Sequence, residues 1–374
     1  MAPTRASEAG QADQTAQTAQ AVPTAQEKRA VRAAIDLGTV TSRLMIGRLA
    51  CASACVDASS GRGRAAGGGS ASGKRGGTLR RSVEVLEQSV IITNLGEGLT
   101  ASGVISPAAT VRLLAALREF RMLLADARAR LTHEGREDLE IPVKAVATSA
   151  MRDAANAAEV LRALDELGFA VEVISGSREA ELSFKGTLSG FSGLEGTVLT
   201  IDVGGGSTEL ILGTGSAEIR ASHSFDLGSR RITELFLPGD PPSAAELRSA
   251  REWAEAQIAG FIASLPSLPE ELIAVAGTAT SALTIRDGIR EYDSALVHGK
   301  RLGADELDAA IALLSALRLE ERRLVPGLHP GRAPVIIGGL IILSAVLRAL
   351  GRNSLLVSDT DILQGILLES AKIC

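Results

Sequence analysis

The chain has 374 residues, with 39 basic against 44 acidic side chains and a formal net charge of −5. That balance excludes a strongly basic nucleic-acid binder, and the length suits about two domains of roughly 100–200 residues each. Hydrophobic residues make up 45% and aromatics only 2%, so the core must be built from Leu, Val, Ile and Ala. Three cysteines are too few for a disulfide framework, and four scattered histidines (His133, His223, His298, His329) lack metal-ligand spacing.

Residues 1–30 are rich in Gln, Ala and Thr, without the apolar stretch of a signal peptide, and are expected to form a disordered tail. Arg32 to Leu49 reads as a hairpin, two apolar runs around a Gly/Thr turn. A Gly-, Ser- and Arg-rich stretch over about residues 53–77 reads as a flexible insert before a third strand at Val83 to Thr93. Ser106-Pro107 supplies an N-cap and a first-turn proline. The following helix carries Leu113, Leu117, Phe120 and Leu124 on one face. Val143 to Thr148 is a short strand, Asn156 to Gly168 a helix, and Val171 to Ile174 a strand ending at Ser175-Gly176.

A second cycle opens at Val198 to Val203, turns through glycines and returns at Thr208 to Leu212. Then come a strand at Leu272 to Ala276, a helical region around 304–350, a strand at Ser354 to Val357 and a helix at Asp361 to Ser370. The longest apolar run, Val335 to Leu347, stops at Arg348, short of the roughly 18–20 residues a membrane span needs. No membrane association is expected, and a cytoplasmic location is the simple inference.

The two cycles open alike, which is the mark of an internal duplication. The first reads Ile35-Asp36-Leu37-Gly38-Thr39-Val40-Thr41-Ser42-Arg43. The second reads Ile201-Asp202-Val203-Gly204-Gly205-Gly206-Ser207-Thr208-Glu209. Glycines let backbone N–H groups approach phosphate oxygens, and a tight turn makes an anion-binding nest. Hydroxyls add donors, and an Asp ending the apolar strand can hold magnesium, usually through water. Neither turn is a Walker loop, since no Gly-Lys-Ser/Thr follows, and Gly204-Gly205-Gly206 leads into a strand where a Rossmann fingerprint leads into a helix.

With these hairpins the chain resembles the actin-like ATPase superfamily. Within it, the chain is most similar to the exopolyphosphatase/guanosine pentaphosphate phosphohydrolase (Ppx/GppA) family. The segments that carry the resemblance include Ala147-Thr148-Ser149-Ala150-Met151-Arg152-Asp153-Ala154, Val173-Ile174-Ser175-Gly176-Ser177-Arg178-Glu179-Ala180 and the second hairpin. Leu227-Gly228-Ser229, Ala276-Gly277-Thr278-Ala279-Thr280 and Val357-Ser358-Asp359 complete it. They occur in family order from about residue 31 onward. The resemblance implies two ribonuclease-H-like α/β domains flanking a cleft. These are expected over 31–184 and 185–374, with the final helix packing back on the first.

It implies an exopolyphosphatase that releases orthophosphate from inorganic polyphosphate. Guanosine pentaphosphate is the alternative substrate, and a weakly catalytic polyphosphate or alarmone binder the alternative role. It implies Glu179 as the base that activates water, and Asp202 and Glu209 as the acidic pair near magnesium (or manganese). Asp36 is added as a metal ligand on local chemistry. The phosphate contacts are expected from Gly38, Thr39, Val40, Thr41, Ser42 and Arg43, from Thr148, Ser149 and Arg152, from Gly204, Gly205, Gly206, Ser207 and Thr208, and from Gly277 and Thr278. A homodimer is the family expectation. The sequence departs from the pattern at Val40, where the family usually has asparagine. It departs again at Thr360-Asp361-Ile362-Leu363-Gln364-Gly365, and it resembles the short form without an additional helical domain. Arg230 and Arg231 are further candidates to meet phosphate. His298 is expected to be structural and Trp253 to pack in the core.

Overall fold

The computed structural model describes residues 31–51, 81–133 and 140–370. The tail at 1–30 and the insert at 53–77 lie outside the described residues. Along the chain, strands β1 (Val31–Leu37), β2 (Thr41–Cys51) and β3 (Arg81–Ile92) precede helices α1 (Leu99–Ser102) and α2 (Pro107–His133). Then follow β4 (Val143–Ala147), α3 (Ser149–Asp153), α4 (Ala157–Glu166), β5 (Val171–Val173) and α5 (Gly176–Ser189). The second cycle has β6 (Thr197–Val203), β7 (Thr208–Thr214), β8 (Ile219–Phe225), α6 (Ser229–Phe236) and α7 (Ala244–Ser264). It continues with β9 (Glu271–Val275), α8 (Ala276–Asp287), α9 (Ser294–Val297), β10 (Arg301–Gly303), α10 (Ala304–Ser315) and α11 (Leu319–Arg322). It closes with α12 (Ile336–Ala349), β11 (Ser354–Val357) and α13 (Ile362–Ser370).

The first sheet runs β3-β2-β1-β4-β5 and the second β10-β11-β9-β6-β7-β8. Both are three antiparallel strands continued by two parallel ones, and the second sheet adds β10 at its edge, antiparallel to β11. The duplication is therefore one of topology, with β1 matching β6 and β2 matching β7. Both opening strands are buried throughout their length apart from Arg32, as expected for central strands covered on both faces, which explains their near-continuous apolar runs. The apolar run Val335 to Leu347 becomes α12, buried from Ile336 to Leu347 at the centre of the second core. Trp253 is half-buried against that core, its ring 5.1 Å from Phe236.

Two helices join the halves. The buried side of α13 places Ile362, Leu363, Ile366 and Leu367 against Ala34, Met45 and Val146 of the first sheet and Leu182 of α5. The other side of α5 places Ala180, Phe184 and Leu188 against Val198, Ile211 and Ile273 of the second sheet. Position 184, expected as a domain boundary, thus lies inside a helix that both sheets share. Glycine makes this contact close. A Cβ at Gly186 would lie 1.7 Å from the Asp361 carbonyl oxygen, and one at Gly365 2.0 Å from the Leu182 carbonyl oxygen. Gly365→Val is expected to lower the urea-unfolding stability by roughly 1–3 kcal/mol or more, because rigid backbone stands where the side chain would go. An unchanged unfolding midpoint would contradict this packing.

Candidate active site

The two hairpin turns are built alike. Gly38 N–H donates to the Thr41 carbonyl at 2.9 Å, and Gly204 N–H to the Ser207 carbonyl at 3.0 Å. Register then sets matching side chains opposite one another: Asp36 faces Arg43, and Asp202 faces Glu209. The first hairpin is neutralised within itself, since Arg43 donates to Asp36 Oδ2 through Nε and Nη2 at 3.1 and 2.7 Å. The second hairpin carries two carboxylates. This difference is the electrostatic asymmetry of the site.

A cavity of about 80 Å3 lies between the turns, lined by Asp36, Glu179, Asp202, Arg43, Arg332 and the glycine loops. Of the expected phosphate contacts, Gly38, Thr39, Val40, Thr41, Arg43, Thr148, Gly204, Gly205, Gly206, Ser207, Gly277 and Thr278 line it. Ser42, Ser149, Arg152 and Thr208 do not. Alternation along a strand explains two of these. Thr41 and Arg43 face the cleft, so Ser42 faces away, and its hydroxyl bonds Thr93 Oγ1 at 3.0 Å. Thr208 likewise donates to the Leu227 carbonyl. Ser149 lies on the far side of the turns. Arg152 donates through Nη1 to Glu179 Oε2 at 2.8 Å and to the Ile174 carbonyl at 3.0 Å. It positions the carboxylate.

Glu179 stands in the first turn of α5, whose N-cap Ser175 accepts from Arg178 N–H. Burial pushes its carboxyl up to about 7, against the pull of Arg152 and with help from Asp202 and Asp36. Burial also raises Asp202 to about 6, while the Ser183 hydroxyl, 2.5 Å from Oδ2, draws it down. Glu209 is raised well above the usual range by burial and then by Glu179 and Asp202. It does not line the cavity; Ser224 Oγ donates to it at 2.7 Å from β8. Burial raises Asp36 as well.

Two residues at the site have no motif in the sequence. Asp361 caps α13, its Oδ1 accepting from Leu363 N–H at 3.0 Å, and its other oxygen accepts from Arg43. Burial opposes the charge on Arg43, yet Asp361 and Asp36 hold it firmly protonated. Arg332 follows α11 in a proline-broken loop and donates to Ser281 Oγ at 3.2 Å and to the Gly277 carbonyl. A Cβ at Gly277 would lie 1.9 Å from its Nη1, so a larger residue there would displace the guanidinium. Burial, then Arg43, lowers Arg332 to about 10. His298 is structural, stacking on Phe191 and bonding the Gly190 carbonyl and Asp359 N–H.

Among the described residues no three acidic, histidine or cysteine side chains converge closely enough to ligate one ion directly. The chemistry of the donors nevertheless suits a hydrated divalent cation. Asp36, Glu179, Asp202, Glu209 and Asp361 are five carboxylates against Arg43, Arg152 and Arg332, and magnesium keeps much of its water. Because the fold favours the protonated acids, the stability they contribute is full at low pH and is lost as pH rises through about 6 for Asp202 and about 7 for Glu179. Metal-free protein is expected to show a lower thermal midpoint at about pH 8 than at about pH 5, with magnesium recovering it. A midpoint at the higher pH indifferent to magnesium would argue against a cation here.

Two duplicated α/β halves with paired phosphate-type hairpins define a phosphate-handling enzyme of the actin-like ATPase fold. The chain belongs to the Ppx/GppA phosphatase family, whose model matches residues 75–373. It is 36% identical over 308 residues to Exopolyphosphatase 2 of Mycobacterium tuberculosis, covering 79% of this chain and 92% of the relative. It is 29% identical to the guanosine-5'-triphosphate,3'-diphosphate pyrophosphatase of Vibrio vulnificus, over 69% of this chain and 52% of that one. A Ppx/GppA family crystal structure from Aquifex aeolicus superposes with a TM-score of 0.67 at 25% identity, covering 91% of this chain and 97% of that one. No helix among the described residues is long and apolar enough to cross a membrane.

Proposed function

We propose that this protein is an exopolyphosphatase, removing the terminal phosphate of inorganic polyphosphate. The observation that carries the reading is the placement of Glu179, a mostly buried carboxylate raised to about 7, on the wall of a cavity framed by two glycine hairpins. That cavity shares Arg43, Arg332 and Gly277 with a trough of about 520 Å3, into which a longer anion would extend from the site.

In this reading Glu179 takes a proton from water as its oxygen bonds the terminal phosphorus. The bridging P–O bond breaks, orthophosphate separates, and the shortened chain keeps the bridging oxygen. Arg152 holds Glu179 in place, and Ser175 caps the helix that presents it. Backbone N–H groups of Gly38–Thr41 and Gly204–Ser207, with Arg43 and Arg332, bear the phosphate charge; positioning and neutralisation are most of what phosphoryl transfer requires. Asp202 and Glu209, with Asp36 beside them, would hold magnesium (or manganese), which would offset the charge of substrate and carboxylates together.

The deciding experiment is orthophosphate release from long polyphosphate, short polyphosphate and guanosine pentaphosphate with magnesium present. No release from any of them would end the proposal. A nucleoside-bearing substrate is the second reading, favoured by Val90, Ile92, Ile289 and Leu328, an apolar wall of the trough for which a bare polyphosphate has no use. A homodimer is proposed from the family resemblance and a cytoplasmic place of action from the sequence; sedimentation and cell fractionation would test them.

A further inference from the structure

The two hairpins fix their carboxylates by different means. In the first, Asp36 is held by a cation, Arg43, which cancels the charge that it orients. In the second the donors are neutral. Ser183 Oγ donates to Asp202 Oδ2 at 2.5 Å, and Ser224 Oγ donates to Glu209 Oε1 at 2.7 Å. A hydroxyl sets the direction of a carboxylate and leaves its negative charge for another partner.

Ser183 comes from α5, the helix that also presents Glu179. It stands four residues after that carboxylate, so the two share one face of the helix, a turn apart. Ser183 is fully buried, and α5 itself is set against the second sheet through Ala180, Phe184 and Leu188. The start of the helix is fixed as closely. A Cβ at Gly176 would lie 2.4 Å from Ser224 Oγ, so α5 meets β8 there with no room for a side chain. One packed helix therefore carries the base, bonds one carboxylate of the acidic pair and abuts the hydroxyl that bonds the other.

We infer that Ser183 is a positioning residue for the cation site. Its hydroxyl takes one oxygen of Asp202, a residue that borders the catalytic cavity, and so leaves the other oxygen to face the water shell of a divalent cation. Because this hydroxyl and Glu179 ride on the same helix, the base and the acidic pair keep a fixed separation. Activation of water at Glu179 and neutralisation of charge at Asp202 must act on one phosphoryl group, and a misplacement of about 1 Å can cost on the order of 10²-fold in rate. The inference rests on the cation reading above.

Manganese binding to the substrate-free protein separates this role from a purely structural one. Free Mn2+ is counted by its paramagnetic resonance signal for wild type, Ser183→Ala, Thr187→Val, Asp202→Asn, and Ser183→Ala combined with Asp202→Asn. Thr187 is the matched control, since it is equally buried on α5 and its hydroxyl donates to backbone, the Ser183 carbonyl, at 2.7 Å. Ser183→Ala is expected to weaken Mn2+ binding by about tenfold or more, as loss of a ligand's hydrogen-bond partner commonly does. The magnesium concentration for half-activity should rise in step, with the KM for polyphosphate near that of wild type. Thr187→Val should leave Mn2+ affinity within about twofold of wild type, and Ser183→Ala should change it by no more than about twofold once Asp202 is already Asn. A Ser183→Ala protein with wild-type Mn2+ affinity, or an equal loss in Thr187→Val or in the Asp202→Asn background, overturns the positioning role. Absence of Mn2+ binding by wild type instead overturns the cation reading, and this inference falls with it.

Discussion

Glu179→Gln is expected to lower orthophosphate release by about 10²–10⁴-fold while leaving the KM for polyphosphate near that of wild type. Glutamine keeps the shape of the side chain and an oxygen to accept from Arg152 Nη1, so the start of α5 should hold. What it lacks is a site for the proton of water. The wild-type kcat/KM should rise with pH as the carboxyl ionises, along a limb at or below about 7, because a bound cation favours the ionised form. That limb should vanish in the variant. A Glu179→Gln enzyme with full activity, or with an unaltered acid limb, would remove Glu179 from the chemistry.

Asp202→Asn should separate function from stability in opposite directions. Activity is expected to fall on the order of 10²-fold, with the magnesium concentration for half-activity raised at least about tenfold, since a carboxylate ligand becomes an amide. Ser183 can still donate to the amide oxygen. In metal-free protein the variant escapes the penalty of ionising a buried acid held at about 6, which is on the order of 3 kcal/mol at about pH 8. Its metal-free thermal midpoint at that pH should therefore exceed the wild type's. A lower midpoint together with lost activity would mean that Asp202 serves the fold, not the cation.

Much of this site is legible in the sequence because each hairpin compresses strand, turn and strand into one short segment. Asp36 and Asp202 end apolar strands, and glycines follow at once, so their place at the cleft can be read directly. What the reading missed has physical reasons. Ser42 and Thr208 carry the right chemistry but fall on the wrong side of an alternating strand. Arg152 has a phosphate-binding side chain, yet its nearest anion is Glu179, and only the packing of α3 beside α5 reveals that. Arg332 escaped because residues 304–350 were expected as one helical region. Pro326, Pro330 and Pro334 break that region between α11 and α12, and the loop so made carries Arg332 to Gly277. The prolines were the available signal. Strand β8 was missed because Arg220, Ser222 and His223 interrupt its apolar pattern. Asp361 looked like an ordinary helix cap, which it also is; its second role depends on Arg43, 318 residues earlier.

That last separation bears on how the molecule is made. While the polypeptide emerges from the ribosome, the first sheet can assemble early, since β1 to β5 are complete by Val173. Its face at Ala34, Met45 and Val146 then waits for α13 to be synthesised before it is covered. Over that interval the nascent protein displays a greasy, strand-built surface, the kind that invites aggregation and chaperone capture. Arg43 meanwhile lacks one of its two carboxylate partners. The growing chain cannot assemble the whole acid–arginine site until nearly all of these residues have been translated, so a prematurely terminated product would be both sticky and inert.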